Sequence, residues 1–176
     1  GRSTEHDVSI VTALSSVIKP LELTGKYEVV AIYIAKDGSW YSDEQLKDIT
    51  IYHGNGLELF MHKASKLHLL FDNGLKIVKS SQFAGRKQYK KIDLVFPAMH
   101  GTHGEDGELM GLLEMAGVPY VGCGVSASAL AMDKVLAKLV AESHGIAVPK
   151  MKFSTKNDFE LNPSLFVNHI EESLHY

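Results

Sequence analysis

The stretch IDLVFPAMHGTHGEDGELMGLLEMAGVPYVG, residues 92–122, changes its hydrophobic pattern twice and predicts the fold. It begins with an apolar run (92–98), which is typical of a strand buried on both faces. A glycine-rich octapeptide (100–107) follows, and leucines then recur at helical spacing as far as Ala116. The segment 117–122 is typical of a second short strand. A strand, loop, helix and strand in this order predict two parallel strands joined by a right-handed crossover.

The N-terminal part of the chain predicts a helix, a strand and a hairpin. Thr4, with Asp7 three residues later, forms a capping-box pattern that opens a helix. Apolar residues at helical spacing follow until Pro20, which is expected to end this helix. Residues 26–35 (KYEVVAIYIA) are rich in residue types that favour strands. Asn73–Gly74 joins two short apolar runs and predicts a β-hairpin.

The C-terminal part is mainly helical in pattern. Residues 126–145 form a long helical segment, with a break expected near Met132 and Gly145 as its C-terminal cap. Residues 147–154 resemble a strand, and Asn162–Pro163 is expected to open a final helix. Together with the stretch 92–122, these patterns predict an α/β fold with a mostly parallel, Rossmann-like sheet.

The composition and charge exclude several classes of protein. A chain of 176 residues with 45% hydrophobic and 22% charged residues can bury a core and is not typical of disordered proteins. Its net charge of −3 argues against a general nucleic-acid binder. We therefore interpret the basic residues between 79 and 91 as a solvated loop without function. The one cysteine, Cys123, cannot form an internal disulfide and suits a reducing cytoplasm. No apolar run approaches the roughly 18 residues of a membrane span.

The octapeptide HGTHGEDG (100–107) follows a predicted strand, at the position where open α/β sheets bind their ligands. Gly101, Gly104 and Gly107 allow a ligand to approach the backbone closely. Amides that lead into the N-terminus of a helix favour an anion. The glycine spacing does not match the dinucleotide fingerprint G-x-G-x-x-G, and the chain has no Walker A motif. We therefore interpret the octapeptide as an oxyanion and substrate loop.

The same octapeptide also offers potential metal ligands. They are His100, His103, Glu105 and Asp106. Two histidines three residues apart on a loop lack the fixed geometry of H-E-x-x-H on a helix, and no cysteine supports them, so we expect no metal site. His103 is interpreted as an exposed loop histidine, and the two acids as favourable charges at the helix N-terminus. His100 directly follows the strand and is expected to point into the cleft.

Three motifs, in this order, resemble one protein family. They are GRSTEHDVS (1–9), VFPAMHGTHGEDGELMGLLEMAGVPYVGCGV (95–125) and SALAMDK (128–134). The chain, over most of its length, is similar to the D-alanine–D-alanine ligases of the ATP-grasp superfamily. The resemblance implies an N-terminal Rossmann-like substrate-binding domain over residues 1–122 and the beginning of an ATP-grasp domain over residues 123–176.

The resemblance also implies a reaction and the residues that serve it. The family uses ATP to phosphorylate the carboxylate of a first D-alanine, and the amine of a second D-alanine attacks this acyl phosphate. The dipeptide is used for peptidoglycan synthesis. By motif, Glu5 would accept the ammonium group of the first D-alanine, and Val8 would line the same pocket. His100 would assist beside the acyl phosphate, Gly101 would bind substrate next to it, and Lys134 would contact an ATP phosphate.

Further implications concern cofactors, partners and location. The resemblance implies ATP and Mg²⁺, with the Mg²⁺ ligands in the C-terminal part of a longer ligase. It implies that this chain is inactive alone, and that the full-length enzyme is a cytoplasmic homodimer that binds D-alanine and ATP but no nucleic acid or membrane. At Met110 the chain departs from the family, which usually has glutamine there. Three alternatives remain open: a non-catalytic anion- or nucleotide-binding module, a metal-binding module, and a ligase that joins D-alanine to D-lactate or D-serine.

Overall fold

The computed structural model describes residues 1–72, 74–80 and 87–174 of the chain. The chain forms two compact units, Gly1–Ala129 and Leu130–Tyr176. The helices of the described residues are all too short or too polar to cross a membrane. The first unit contains the strands and the octapeptide, and the second is helical.

The first unit begins with a helix in three consecutive parts. These are α1 (His6–Thr12), a π-helical segment (Ala13–Ile18) and α2 (Lys19–Leu23). The prediction that Pro20 ends the helix is wrong, because Pro20 lies in the first turn of α2, where a missing backbone N–H is tolerated.

The predicted cap of the first helix is also wrong. Glu5, not Thr4, is the residue at the N-terminus of α1, and no side chain caps this end of the helix. Instead, the Ser3 hydroxyl accepts a hydrogen bond from the Glu5 amide at 3.0 Å. The Ser3 carbonyl also accepts from the His6 amide at 3.3 Å, so a turn at Ser3 satisfies the first free amides.

Both sheets of the first unit are antiparallel. β1 (Tyr33–Ile34) pairs with β2 (Trp40–Tyr41). In the second sheet, β4 (Leu75–Ser80) lies between β3 (Leu67–Phe71) and β5 (Lys87–Ile92).

The second sheet tests two of the sequence predictions. The predicted hairpin is confirmed by the pairing of Phe71 with Leu75, although Asn73 lies outside the described residues. The prediction of a solvated loop at 79–91 is wrong for residues 79–80 and 87–91, because they belong to the paired strands β4 and β5. Residues 81–86 lie outside the described residues.

The α/β class is confirmed, but the mostly parallel, Rossmann-like sheet is not. Among the described residues, the parallel pairing consists of one bridge between Val95 and Tyr120. The Val95 amide donates to the Pro119 carbonyl at 2.9 Å, and the Val121 amide donates to the Val95 carbonyl at 2.9 Å. The two strands predicted at 92–98 and 117–122 therefore meet in the predicted direction, but over a single residue.

The apolar run 92–98 also differs from a strand buried on both faces. Leu94 is 50% exposed and Phe96 is 45% exposed. The strands of the two observed sheets follow one another through short connections, and short connections join antiparallel neighbours. The run is apolar, as a central strand would be, but the sequence does not show whether neighbouring strands pair with it on both sides.

Short helical turns and a helix connect the two sheets. They are the 3₁₀ turns Glu44–Lys47 and Ile49–Tyr52 and the helix α3 (Gly56–Lys63). Asp43 and Asp48 begin the two turns, and each accepts a hydrogen bond from the amide two residues later. Such aspartates compete with regular helix or strand, which is consistent with the short 3₁₀ turns that follow them.

Helix α4 (Glu108–Met115) follows the octapeptide, as the sequence predicted. Its Leu113 packs with Ala116, Val118 and Leu75 of β4 in one hydrophobic cluster. A second cluster forms around Tyr33, Tyr41 and Leu46. The cluster at α4 anchors the helix that follows the octapeptide, so the glycine-rich loop ends on a fixed support.

The helices α5 (Val125–Met132) and α6 (Lys134–Ser143) confirm the predicted break near Met132. Asp133 begins α6, and its carboxylate accepts hydrogen bonds from the amides of Val135 and Leu136. Gly145 closes α6 with a φ of 75°, a left-handed conformation that favours glycine.

The chain continues to α7 (Lys156–Leu161) and α8 (Pro163–Leu174). The start of α8 at Pro163 confirms the predicted final helix. The strand-like interpretation of 147–154 is wrong, because the described residues of this second unit contain no other strand with which it could pair.

Candidate functional site

The first turns of α1 and the octapeptide meet in the first unit. The His100 amide donates to the Ser9 hydroxyl at 2.9 Å. The His100 ring is hydrogen-bonded through Nε2 to the Thr12 hydroxyl at 2.8 Å. The Ser9 hydroxyl donates in turn to the Glu5 carbonyl at 3.1 Å. Two segments that lie far apart in sequence are therefore joined at His100, through the hydroxyls of Ser9 and Thr12.

Gly101 brings the Glu5 carboxylate next to the octapeptide. Its φ is +74°, and a Cβ atom built on it would lie 2.6 Å from Glu5 Oε2 and would overlap the Ser3 hydroxyl. The octapeptide backbone therefore approaches the start of α1 at a distance that only glycine allows. Glu5, His100 and Gly101 therefore lie close together.

Amides of the octapeptide are occupied by carboxylates of the same segment. The Gly101 amide donates to Glu105 Oε2 at 2.6 Å. The amides of His103 and Glu108 donate to the two oxygens of Asp106, at 2.7 Å and 3.2 Å. These three amides are therefore already satisfied by side chains of the segment, and an external anion would have to displace a carboxylate to reach them.

The side chains of Glu5 and His100 are accessible to solvent, whereas Gly101 is buried. The His100 side chain is 35% exposed and the Glu105 side chain is 49% exposed. Because water screens these groups, charge–charge interactions between them are weak until a ligand excludes the solvent. The arrangement offers a carboxylate at Glu5 and an imidazole at His100, whereas the Gly101 amide is already bonded to Glu105.

His6 supports this site from the interior. Its ring is buried, its Nε2 is hydrogen-bonded to the Tyr33 hydroxyl at 3.0 Å, and the two rings pack edge to face. Burial lowers the pKa of His6 and raises the pKa of Tyr33 to about 12. His6 is therefore held neutral, and it fixes the first turn of α1, which carries Glu5, to β1.

The positions of the two remaining predicted residues say less about their roles. Val8 lies on α1, on the same helix as Glu5, and is 55% exposed. Lys134 belongs to the second compact unit, where it is the exposed first residue of α6, directly after the capping Asp133. Neither position contradicts the role that the resemblance implies.

A cavity of about 640 Å³ lies in the first unit beside α1 and residues 90–99. Apolar side chains such as Leu14, Ile32 and Phe96 line much of it, whereas Glu5 and His100 do not. The cavity therefore does not coincide with the position of Glu5 and His100. We place the candidate site at the charged groups, because recognition of a small zwitterion depends on their charge.

The metal ligands that the structure brings together differ from those that the sequence suggested. Within the described residues, ligand atoms of His103, Asp106 and Glu108 lie within 4.8 Å of one another. His103 Nδ1 is hydrogen-bonded to the Glu108 carboxylate at 2.5 Å, and Asp106 already accepts two backbone amides. These contacts are typical of a turn at a helix N-terminus, and they favour the interpretation without a metal.

Zinc titrated into the chain is expected to bind no more tightly than in the micromolar range. The three side chains are partly exposed and already hydrogen-bonded, whereas a structural zinc site usually has four ligands of fixed geometry. Isothermal calorimetry with the wild-type chain and with His103→Ala measures this. Stoichiometric binding with a sub-micromolar Kd that disappears in His103→Ala would contradict the prediction.

Sequence reasoning missed Ser9 and Thr12, the two hydroxyls that contact His100. A signal was present, because Glu5, Ser9 and Thr12 follow one another at i, i+4 and i+7, the spacing of one helical face. Hydroxyls on a helix are common, however, and the spacing alone does not show that a distant histidine contacts them.

Comparisons with known proteins identify the family of the chain. Residues 1–123 match the family model of the D-Ala–D-Ala ligase N-terminus. A D-alanine–D-alanine ligase of Acetivibrio thermocellus is 37% identical over 185 residues, which cover 100% of this chain and 48% of that protein. One from Chloroherpeton thalassium is 38% identical over 178 residues, covering 100% of this chain and 47% of that protein.

Solved structures show the same likeness. The D-alanine–D-alanine ligase of Coxiella burnetii has a TM-score of 0.69 and 30% identity, and the match covers 98% of this chain and 48% of that one. The VanG D-Ala:D-Ser ligase of Enterococcus faecalis has a TM-score of 0.72 and 30% identity, over 100% of this chain and 48% of that one. The chain belongs to the D-alanine–D-alanine ligase family, and it spans about half the length of the curated relatives that it matches.

Proposed function

We propose that this chain provides the N-terminal, substrate-binding part of a cytoplasmic ligase that joins two D-alanines for peptidoglycan synthesis. The reaction consumes ATP and passes through an acyl phosphate. The observation that carries the proposal is the close approach of the Glu5 carboxylate to Gly101, the neighbour of His100. This arrangement offers a negative charge and nearby hydrogen-bond donors to one small zwitterion.

In this proposal each predicted residue has a stated role. The Glu5 carboxylate accepts the ammonium group of the first D-alanine, and Val8 lines the pocket beside it. His100 and the Gly101 amide donate hydrogen bonds to an oxygen of the acyl phosphate, where negative charge accumulates. Lys134 attracts an ATP phosphate as a point charge at the start of α6.

The expected cofactors are ATP and Mg²⁺. Mg²⁺ prefers oxygen ligands in octahedral geometry. The group of three potential ligands in the described part of the chain includes the nitrogen of His103 and does not fit this preference. We therefore assign no Mg²⁺ ligand to the described residues and derive no step from the metal.

The test uses two proteins: the chain alone, and a fusion ligase in which the chain is joined to the C-terminal half of the Acetivibrio thermocellus relative. We expect no D-alanine-dependent phosphate release from ATP by the chain alone, because its relatives are about twice as long. We expect the fusion ligase to release phosphate and to form D-alanyl-D-alanine. Robust turnover by the chain alone would contradict its role as a part of the enzyme. A folded fusion ligase that binds ATP but forms no dipeptide would contradict the proposed reaction.

A second candidate function is the ligation of D-alanine to D-serine. The structural likeness to the VanG D-Ala:D-Ser ligase favours it as much as the likeness to D-alanine–D-alanine ligases favours the first function. Competition between D-alanine, D-serine and D-lactate as second substrates of a ligase with the native C-terminal half would distinguish these functions. The fusion ligase is not suited to this test, because its C-terminal half comes from a D-alanine–D-alanine ligase.

A further inference from the structure

Two hydroxyls on one face of α1 contact His100 at different atoms. Ser9 binds its backbone amide, at 2.9 Å, and Thr12 binds its ring at Nε2, at 2.8 Å. We propose that Ser9 and Thr12 are positioning residues, which fix the place and the tautomer of His100 relative to Glu5. The catalytic part of this inference rests on the function proposed above.

The Ser9 hydroxyl connects the two segments of the site directly. It accepts a hydrogen bond from the His100 amide and donates one to the Glu5 carbonyl, so its one proton and one of its lone pairs are used. A hydroxyl in a helix often donates to the carbonyl four residues earlier, as Ser15 does to Val11. Ser9 differs from Ser15 because it also receives a bond from a residue 91 positions away.

The Thr12 contact determines which ring nitrogen of His100 is left for a ligand. Nε2 is hydrogen-bonded to Thr12, whereas Nδ1 lies 3.9 Å from Glu105 Oε1, too far for a hydrogen bond. A carboxylate near Nδ1 favours the tautomer with its proton on Nδ1. Nε2 then accepts a hydrogen bond from the Thr12 hydroxyl, and the Nδ1–H group points toward the carboxylate.

A second donor points to the same carboxylate. The Gly101 amide donates to Glu105 Oε2 at 2.6 Å, while His100 Nδ1 faces Glu105 Oε1. Two donors from adjacent residues thus surround one position for an anion. Thr12 holds one of them, the His100 ring, in the orientation that this position requires.

The experiment observes the His100 ring in the 176-residue chain by long-range ¹H–¹⁵N NMR, with the resonance assigned from a His100→Gln spectrum. The neutral ring of the wild type is expected to carry its proton on Nδ1. Thr12→Val removes the hydroxyl at nearly constant shape and is expected to shift the ratio of the two tautomers about fivefold toward Nε2–H. Thr12→Ser is expected to restore the wild-type ratio. Ser15→Ala, which removes a hydroxyl from the next part of the same helix, is expected to leave the ratio unchanged.

A second measurement tests Ser9 and remains decisive if Thr12→Val fails to fold. Ser9→Ala is expected to speed hydrogen exchange of the His100 amide about fivefold relative to wild type, because it removes the acceptor, whereas Ser15→Ala is not. An unchanged tautomer ratio in folded Thr12→Val, or an unchanged exchange rate in Ser9→Ala, would overturn the positioning role of that residue.

Kinetics of the fusion ligase connect the positioning to catalysis. Thr12→Val is expected to lower kcat about fivefold with little change in the KM of the first D-alanine, and Thr12→Ser is expected to restore kcat. A changed tautomer ratio with unchanged kcat would overturn the catalytic part of the inference. A wild-type fusion ligase without activity would instead contradict the proposed function, while the NMR result would still decide the role of Thr12.

Discussion

Replacing Glu5 by glutamine in the fusion ligase is expected to raise the apparent KM of the first D-alanine about tenfold. The substitution keeps the shape of the side chain but removes its charge. A charge-assisted hydrogen bond contributes about 1.5–3 kcal/mol, whereas a neutral one contributes about 1 kcal/mol. The KM of ATP is expected to change little, because the proposal assigns Glu5 to the ammonium group alone. Steady-state kinetics at saturating ATP measure the effect.

Asp7→Asn is the matched control for this substitution. Asp7 lies two residues further along α1, is exposed, and pairs with Lys36 at 3.3 Å. Its replacement removes the same charge from the same helical turn and is expected to leave the KM of D-alanine within about twofold of wild type. If Glu5→Gln impaired ATP binding while the KM of the first D-alanine stayed unchanged, the assignment of Glu5 to the ammonium group would be wrong.

Replacing Gly101 by alanine is expected to lower the free energy of unfolding of the first unit by about 3 kcal/mol. The φ of +74° is unfavourable for alanine, and the added methyl group would lie 2.6 Å from Glu5 Oε2 and would overlap the Ser3 hydroxyl. Urea unfolding followed by the fluorescence of Trp40, the one tryptophan of the chain, reports on this unit.

Gly117→Ala separates the effect of the unfavourable φ from the effect of the steric overlap. Gly117 also has a positive φ, +65°, but a Cβ atom built there has no neighbour within 4 Å. Its replacement is therefore expected to lower the free energy of unfolding by about 1 kcal/mol, the cost of the unfavourable φ alone. An equal cost for Gly101→Ala and Gly117→Ala would mean that the close approach of the octapeptide to Glu5 and Ser3 is not a constraint in solution.

The parts of the fold that the sequence predicted correctly depend on local signals. Helix α4 follows from its leucine spacing, the break before α6 from the helical pattern around Met132, and the start of α8 from Pro163. In each case the decisive residues lie within one or two helical turns of the feature. The hairpin of β3 and β4 is equally local, because a short turn sets its pairing.

The errors concern features that depend on distant partners or on small shifts in hydrogen bonding. The apolar run 92–98 has the composition of a central strand, but a strand also needs neighbours, and the sequence does not state which segments pair. The prediction of a strand at residues 147–154 was wrong for the same reason. At the start of α1, a turn at Ser3 satisfies the amides that Thr4 was expected to cap, and the two arrangements differ by one residue.

In the candidate site, too, local features were predicted and contacts between distant residues were not. The motifs located Glu5, His100 and Gly101, and the structure places these three residues together. The hydroxyls that hold His100 were missed, because their helical spacing does not show that a residue 88 positions away contacts Thr12. The roles of Val8 and Lys134 rest on the resemblance and stay predictions.

The carboxylate of Glu105, held by the Gly101 amide, has a consequence for selectivity. A ligand anion that enters this position must displace a tethered competitor, whose effective concentration is high because it belongs to the same loop. A ligand carboxylate gains little by displacing Glu105, since both groups are carboxylates with the same charge. A phosphoryl group brings more charge and more acceptor oxygens to the same two donors, so it competes far better. In the proposed reaction, the loop is therefore expected to discriminate between an amino acid and its phosphorylated form, and to hold the activated molecule more tightly than the one from which it is made.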